Sequence, residues 1–216
     1  MDDFLKVRLD KYDKWIKDGR ISFSSKVIPV NESLSAQQWV LPTEQVEAIV
    51  SSARLIALTK CICRSHYHRC EKPLEVCLVL NKVAEKFVEQ GKARPISLPE
   101  ALDVLKKAND EGLVHLSLYQ PDHELIALCS CCSCCCHDLQ LVKVHNRSDL
   151  MMRSDYVATV DPKLCTHCGI CAERCVFGAR TLQDDQLQYN PENCLGCGLC
   201  VTTCPTHATS MNQRAL

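Results

Sequence analysis

The sequence has little of what marks several large classes of protein. Aromatic residues make up 5% of its 216 residues, and it has seven glycines. No apolar run approaches the roughly 18 residues that a membrane-spanning helix needs. We therefore expect no membrane span. No apolar leader follows the start at Met1, so we expect no signal peptide either. The formal net charge of −1 gives no electrostatic reason to expect a nucleic acid partner.

Signatures of a self-contained enzyme are missing as well. The Gly-x-Gly-x-x-Gly fingerprint of dinucleotide-binding domains does not occur in the sequence. So few glycines leave little for a loop that cradles a substrate, and no acid–base pair stands at a recognisable spacing. The chain therefore does not have the sequence of a complete reductase.

Cysteine is the residue that the sequence has in excess, with 18 in all. In a short secreted chain this number would indicate a disulfide framework. Here the cysteines stand at the spacings of metal-cluster ligands, and no leader is visible. We therefore expect a reducing, cytoplasmic location, and an anaerobic organism, because so dense a set of thiols is easily oxidised.

Eight cysteines near the C-terminal end form two copies of the same spaced motif. Three cysteines stand at two-residue intervals and a fourth follows after three more residues, as Cys165, Cys168, Cys171 and Cys175, and again as Cys194, Cys197, Cys200 and Cys204. Zinc also binds paired Cys-x-x-Cys motifs, but it needs four thiols per ion and has no use for a third step in each copy. The spacing therefore favours iron–sulfur clusters.

This repeat resembles the bacterial-type ferredoxin domain, which holds two 4Fe–4S clusters. In that family, three cysteines of one motif and the fourth of the other bind each cluster. The resemblance implies that one cluster is held by Cys165, Cys168, Cys171 and Cys204, and the second by Cys194, Cys197, Cys200 and Cys175. One departure concerns the proline that usually follows each fourth cysteine: Pro205 is present, but Val176 stands at the other position.

Ten further cysteines lie upstream in two groups, at 61–77 and 129–136. This stretch resembles a domain of poorly characterised iron–sulfur proteins of anaerobes, in which it is also joined to a two-cluster ferredoxin domain. The resemblance covers about residues 40–140 and implies no settled activity. It rests on Cys-x-Cys-Arg from Cys61, on Cys-x-x-Pro-x-Glu-x-Cys-Leu from Cys70, and on Cys-x-Cys-Cys from Cys129.

So many soft ligands predict at least one more metal centre. A third iron–sulfur cluster has as its candidate ligands Cys61, Cys63, Cys77, Cys129, Cys131 and Cys132. Two alternatives stay open: Cys70 could bind zinc with His66 and His68, or some thiols could remain free or exchange disulfides. Arg64 could offset the charge of the thiolates or form an ordinary surface pair.

Hydrophobic spacing predicts an α+β fold in three parts. Residues 1–42 are expected to hold an amphipathic helix over 2–18 and an irregular segment. Residues 43–145 are expected to form a Cys-rich domain of helices and a small sheet, and residues 156–212 a ferredoxin-like βαβ–βαβ domain. In the middle domain the patterns predict helices beginning at Thr43, over 78–90 and from Ser97 to Gly112, and strands over 54–63, 114–118 and 125–128.

These features predict an electron-transfer protein. Its two 4Fe–4S clusters would relay low-potential electrons to or from the N-terminal centre and a redox partner, such as a flavoprotein or another redox enzyme. A second hypothesis is an oxidoreductase in which the N-terminal cluster is the catalytic site. A third is a redox-sensing regulator, since the helix and hairpin of residues 97–128 resemble the wing half of a winged-helix domain. The oligomeric state has no signature in the sequence.

Overall fold

A computed structural model describes residues 1–28, 49–120 and 125–214 of the chain. Its helices are α1 (Asp3–Lys17), α2 (Ile62–Tyr67), α3 (Asn81–Glu89), α4 (Leu98–Asp110), α5 (His137–His145), α6 (Ile170–Arg174) and α7 (Leu199–Thr202). Its strands are β1 (Ser25–Ile28), β2 (Ile56–Lys60), β3 (Glu75–Leu80), β4 (Ala93–Pro95), β5 (Val114–Tyr119), β6 (Leu125–Cys131), β7 (Met151–Met152), β8 (Tyr156–Val160), β9 (Arg180–Gln183), β10 (Gln186–Tyr189) and β11 (Thr209–Gln213). The fold class is α+β, as predicted.

The N-terminal part is built on a seven-stranded sheet of order β4-β2-β3-β6-β5-β1-β7. All its pairs are antiparallel except that of β1 with β7. The sheet is larger than the small sheet expected, because β1, β3, β4 and β7 were not predicted. The residues of β3 from Val76 to Leu80 are apolar and buried without a break, so their pattern resembles the start of a buried helix as closely as a central strand.

The predicted helices agree best with the structure where capping residues mark their ends. Ser97 accepts a hydrogen bond from the backbone of Glu100 at the start of α4, and Asp2 caps α1 in the same way. The helix predicted over 78–90 begins at Asn81, because its first residues belong to β3. Residues 49–51 are helical, whereas the predicted start at Thr43 lies outside the described residues.

Helices cover both faces of the sheet. On one face, Ala101 and Leu105 of α4 pack against leucines of β2, β3 and β6. On the other, Ala84 of α3 packs against Ala57 and Val79, which alternate with those leucines along their strands. Within the described ranges, no helix has both the length and the apolar character to cross a bilayer.

The C-terminal part runs in the order β8-α6-β9-β10-α7-β11, with β8 paired to β11 and β9 to β10. It packs directly on the large sheet, since Cys197 and Leu199 share a buried cluster with Val114 and Leu116 of β5. Arg174 of α6 adds a polar contact, because its Nη2 donates to the carbonyls of Asn109 and Asp110 at 2.7 and 2.8 Å. The two parts of the chain therefore meet through a packed interface.

Candidate metal centres

Two small cavities in the C-terminal part gather the eight cysteines of the repeat. One cavity is lined by Cys165, Cys168, Cys171 and Cys204. The other is lined by Cys175, Cys194, Cys197 and Cys200. These are the two groups of four that the ferredoxin resemblance implies, and what each group binds stays a prediction.

Two short helices produce the exchange of the fourth cysteine. In each motif the first two thiols lie on a loop, and the third lies in the helix that follows: Cys171 in α6 and Cys200 in α7. Each helix ends within a few residues, so Cys175 and Cys204 follow its last turn and line the opposite cavity. Each cavity is therefore closed by a residue from the far motif, which ties the two halves together.

Gly196 marks the closest approach of two backbones at the second cavity. A Cβ atom at this position would overlap the carbonyl oxygen of Tyr156 in β8. Its φ angle is +77°, in the left-handed region that favours glycine. No larger residue fits, so the loop from Cys194 to Cys197 can reach its position only with glycine there.

A buried arginine lies between the two cavities. Arg180 is 2% exposed, and its Nη1 lies 3.7 Å from Sγ of Cys171 and 3.5 Å from Oγ1 of Thr209. Burial by itself would lower the pKa of Arg180, but the thiolates of Cys200 and Cys171 raise it overall. Its Nη2 is buried and has no hydrogen-bond partner in the part of the chain that the structure describes.

These features fit two anionic iron–sulfur clusters. Each cavity offers four thiolates, the soft ligands that iron–sulfur clusters use. Arg180 supplies buried positive charge beside thiols of both cavities. Its orphaned N–H group points to an acceptor that the described residues do not provide. Sequence reasoning missed Arg180, because a single arginine in a strand has no distinctive local pattern.

Residues 164–208 match the family model of the 4Fe–4S dicluster domain. The matched region includes all eight cysteines of the repeat and none of the ten upstream, and it supports a ferredoxin domain at the C-terminal end. No curated protein matches the chain. The match therefore covers the cysteine repeat and gives no information on the upstream thiols.

The upstream thiols divide between two places. Six of them line a cavity of about 270 Å³ between α1 and the sheet: Cys61, Cys63, Cys77, Cys129, Cys131 and Cys136. Five of these are candidate ligands predicted from the sequence, and Cys136 is an addition. His137 also lines this cavity, with its Nδ1 2.9 Å from Sγ of Cys63. We refer to this space as the thiol cavity.

The sixth predicted ligand, Cys132, lies in a separate group. Its Sγ is 3.7 Å from that of Cys70, and the sulfur atoms of Cys70, Cys132, Cys134 and Cys135 all lie within 4.8 Å of one another. His66, which the sequence had suggested as a partner of Cys70, instead stacks on the ring of Phe4 with centroids 4.3 Å apart.

Arg64 is fully buried near both groups of thiols, at 1% exposure. Its Nη2 donates to the carbonyl of Ser130 at 3.0 Å, and its Nη1 donates to the carbonyl of Pro73. Burial would lower the pKa of Arg64, but Cys132 and Cys61 raise it overall. In turn, burial raises the pKa of Cys132 but Arg64 lowers it further, to about 7. Arg64 is therefore a buried counter-charge and not a surface pair.

The close approach at Gly196 gives a prediction about the stability of the dicluster domain. Gly196→Ala should cost roughly 3 kcal/mol or more, because the methyl group meets backbone and the φ angle is positive. Gly178→Ala is the matched control, since Gly178 also has a positive φ but nothing within 4 Å of its added Cβ; it should cost about 1 kcal/mol.

The measurement is the midpoint temperature of unfolding of the two anaerobically purified variants, followed by circular dichroism. We expect the midpoint of Gly196→Ala to lie several degrees below that of Gly178→Ala. Equal midpoints would contradict the packing described for Gly196.

Proposed function

We propose that this protein carries electrons between a redox partner and an additional cysteine-ligated centre, through two 4Fe–4S clusters. The observation that carries the proposal is the division of eight thiols into two cavities of four, in a segment that matches the dicluster family model. Clusters of this kind store and release single electrons at low potential. The partner we propose is a flavoprotein or another redox enzyme.

The proposed ligands follow the two cavities. Cys165, Cys168, Cys171 and Cys204 would hold the first cluster, and Cys194, Cys197, Cys200 and Cys175 the second. Exposure differs between the two sets: Cys168 is exposed, whereas Cys194, Cys197 and Cys200 are buried. The first cavity therefore offers the shorter route to a partner at the surface.

The second cavity adjoins the large sheet. Cys197 belongs to the same buried cluster as Cys131 and Cys136, which line the thiol cavity. This continuous packing supports an order in which the thiol cavity comes first, the second cluster next, and the first cluster nearest the partner. The direction of electron flow along this order depends on the reduction potentials.

For the additional centre we propose the cysteines of the thiol cavity. Five predicted ligands line it, namely Cys61, Cys63, Cys77, Cys129 and Cys131, together with Cys136. Because Cys129 and Cys131 are two residues apart on β6, they point to the same face of the sheet. Cys132 follows the end of that strand, and we place it outside this centre.

A second candidate function is an oxidoreductase whose substrate binds beside the additional centre. It is favoured by the lining of the thiol cavity opposite the cysteines, where α1 contributes Arg8, Lys11, Tyr12 and Trp15. Such a mixture of basic and aromatic side chains suits a small ligand better than a sealed relay site. Carbon monoxide distinguishes the two functions, since only a centre with an open iron position would bind it.

The experiment that tests the proposed function is an anaerobic reductive titration of the full-length protein, followed by EPR. The wild type should accept more than about two electrons, one for each cluster of the dicluster domain and the rest for the additional centre. The double variant Cys63→Ala/Cys131→Ala should accept only about two electrons. Val144→Ala is the control, because Val144 is 67% exposed and lines none of the three cavities, and its titration should match the wild type.

The outcomes separate the parts of the proposal. Wild-type protein that accepts no electrons would overturn the electron-transfer function. Equal uptake by the wild type and the double variant, with unchanged spectra, would overturn the additional centre. A change in the EPR spectrum of that centre under carbon monoxide would favour the oxidoreductase over the relay.

Arg180 generates a prediction about reduction potentials. Replacing it by glutamine removes a positive charge beside ligands of both proposed clusters, so their potentials should fall. The expected shift is on the order of 100 mV, for one charge at about 7 Å in a medium of effective dielectric constant about 20.

Potentiometric titration of the dicluster signals measures this shift. Arg180→Lys keeps the charge and should retain most of the wild-type potential. Arg153→Gln removes a half-exposed arginine whose Nη1 lies 3.6 Å from Glu192, and it should change little. Unaltered potentials in an Arg180→Gln protein with a full iron content would contradict the role assigned to this residue.

A further inference from the structure

Four upstream thiols lie outside the thiol cavity and outside the dicluster domain: Cys70, Cys132, Cys134 and Cys135. Over residues 1–28, 49–120 and 125–214, this is the one group of three or more Cys, His, Asp or Glu residues whose ligand atoms all lie within 4.8 Å of one another. The proposed electron-transfer function makes no use of it.

The spacing of the sulfur atoms suits a single metal ion. Sγ atoms are 3.7 Å apart between Cys70 and Cys132, and 3.8 Å apart between Cys134 and Cys135. A disulfide would bring them to about 2.05 Å. A tetrahedral ion with metal–sulfur bonds of about 2.3 Å places its ligands about 3.8 Å apart.

A cubane would need a wider arrangement, because each of its thiolates binds a different iron and points away from the others. The dicluster cysteines provide the comparison within the same chain, since neither of their sets of four forms so compact a group. The compact group and the cluster cavities are therefore two different kinds of site.

Polar contacts hold the segments that carry these four thiols. Gln140 donates through Nε2 to the carbonyl of Cys135 at 3.1 Å. Arg69 donates through Nη1 to the carbonyl of Cys134 at 3.1 Å and to Oε1 of Gln140 at 2.9 Å. Because Arg69 is adjacent to Cys70, these contacts join the same two segments that the sulfur atoms join.

Burial and charge also suit a tetrathiolate ion. Cys132 and Cys135 are 4% and 0% exposed, whereas Cys70 and Cys134 are half-buried. A divalent ion with four thiolates carries a net negative charge, which is costly to bury without positive charge nearby. Arg64 beside Cys132 and Arg69, which donates to the carbonyl of Cys134, provide that charge.

We propose that Cys70, Cys132, Cys134 and Cys135 bind one Zn²⁺ ion. Four thiolates complete a closed tetrahedral site, the usual form of a structural zinc site, and leave no position for a substrate. The ion would fasten the segment after α2 to the segment after β6. Cysteines of the thiol cavity flank both segments, with Cys63 and Cys77 on either side of the first and Cys131 and Cys136 on either side of the second. The zinc would therefore hold that cavity in shape without taking part in electron transfer.

The first test uses wild-type, full-length protein purified anaerobically from cells grown with iron and zinc. We expect about one zinc per chain in addition to iron. X-ray absorption at the zinc edge should show four sulfur ligands at about 2.3 Å and no neighbouring metal. Absence of zinc, a single iron in its place, nitrogen or oxygen ligands, or a second metal nearby would each overturn the proposal.

The second test uses variants. Cys134→Ser should lose at least four-fifths of the zinc and keep the iron of the dicluster domain, and Cys70→Ser on the other segment should do the same. Cys131→Ser is the matched control, because its thiol lines the thiol cavity, and it should keep its zinc. Full zinc in both Cys134→Ser and Cys70→Ser would overturn the assignment. The absorption spectrum of the wild type decides the question even where a variant does not fold.

Discussion

The fold brings cysteine thiols from distant parts of the chain together in small cavities, and the rest of the structure depends on this arrangement. Each cavity of the dicluster domain takes three thiols from one motif and a fourth from the other. In the proposed dicluster domain, metal–thiolate bonds would add to the limited stability that so small a domain gains from apolar burial. The sheet also brings thiols together upstream, since Cys77, Cys129 and Cys131 lie on β3 and β6 and Cys61 follows β2.

Much of the dicluster domain could be predicted from the sequence, because its motif is local. Three thiols at two-residue intervals stay close together whatever the surrounding fold. Two copies of such a motif can divide their eight thiols into two groups of four in only a few ways. The helix α4 was predictable for a similar reason, since Ser97 and Gly112 mark its ends. In contrast, the run from Val76 to Leu80 is equally apolar on both faces, and its pattern does not separate a central strand from a helix.

The upstream site shows where the sequence is insufficient. Cys129, Cys131 and Cys132 are close in sequence, yet β6 ends at Cys131, and only the first two face the thiol cavity. No residue near Cys132 marks that end, so its membership of a second group could not be predicted. The roles of the two buried arginines could not be predicted from the sequence either. The sequence left two roles open for Arg64, and no local sequence pattern marks Arg180. Each is recognised only when the thiols around it are known.

The proposed function requires that one chain hold its thiols in separate metal sites, two of them in the dicluster domain. The most direct measurement is an anomalous difference map, recorded at the iron absorption edge from crystals of the anaerobically purified full-length protein. We expect iron density in the cavity of Cys165, Cys168, Cys171 and Cys204, in the cavity of Cys175, Cys194, Cys197 and Cys200, and in the thiol cavity beneath α1. A map without iron in the two cavities of the dicluster domain would overturn the proposed function.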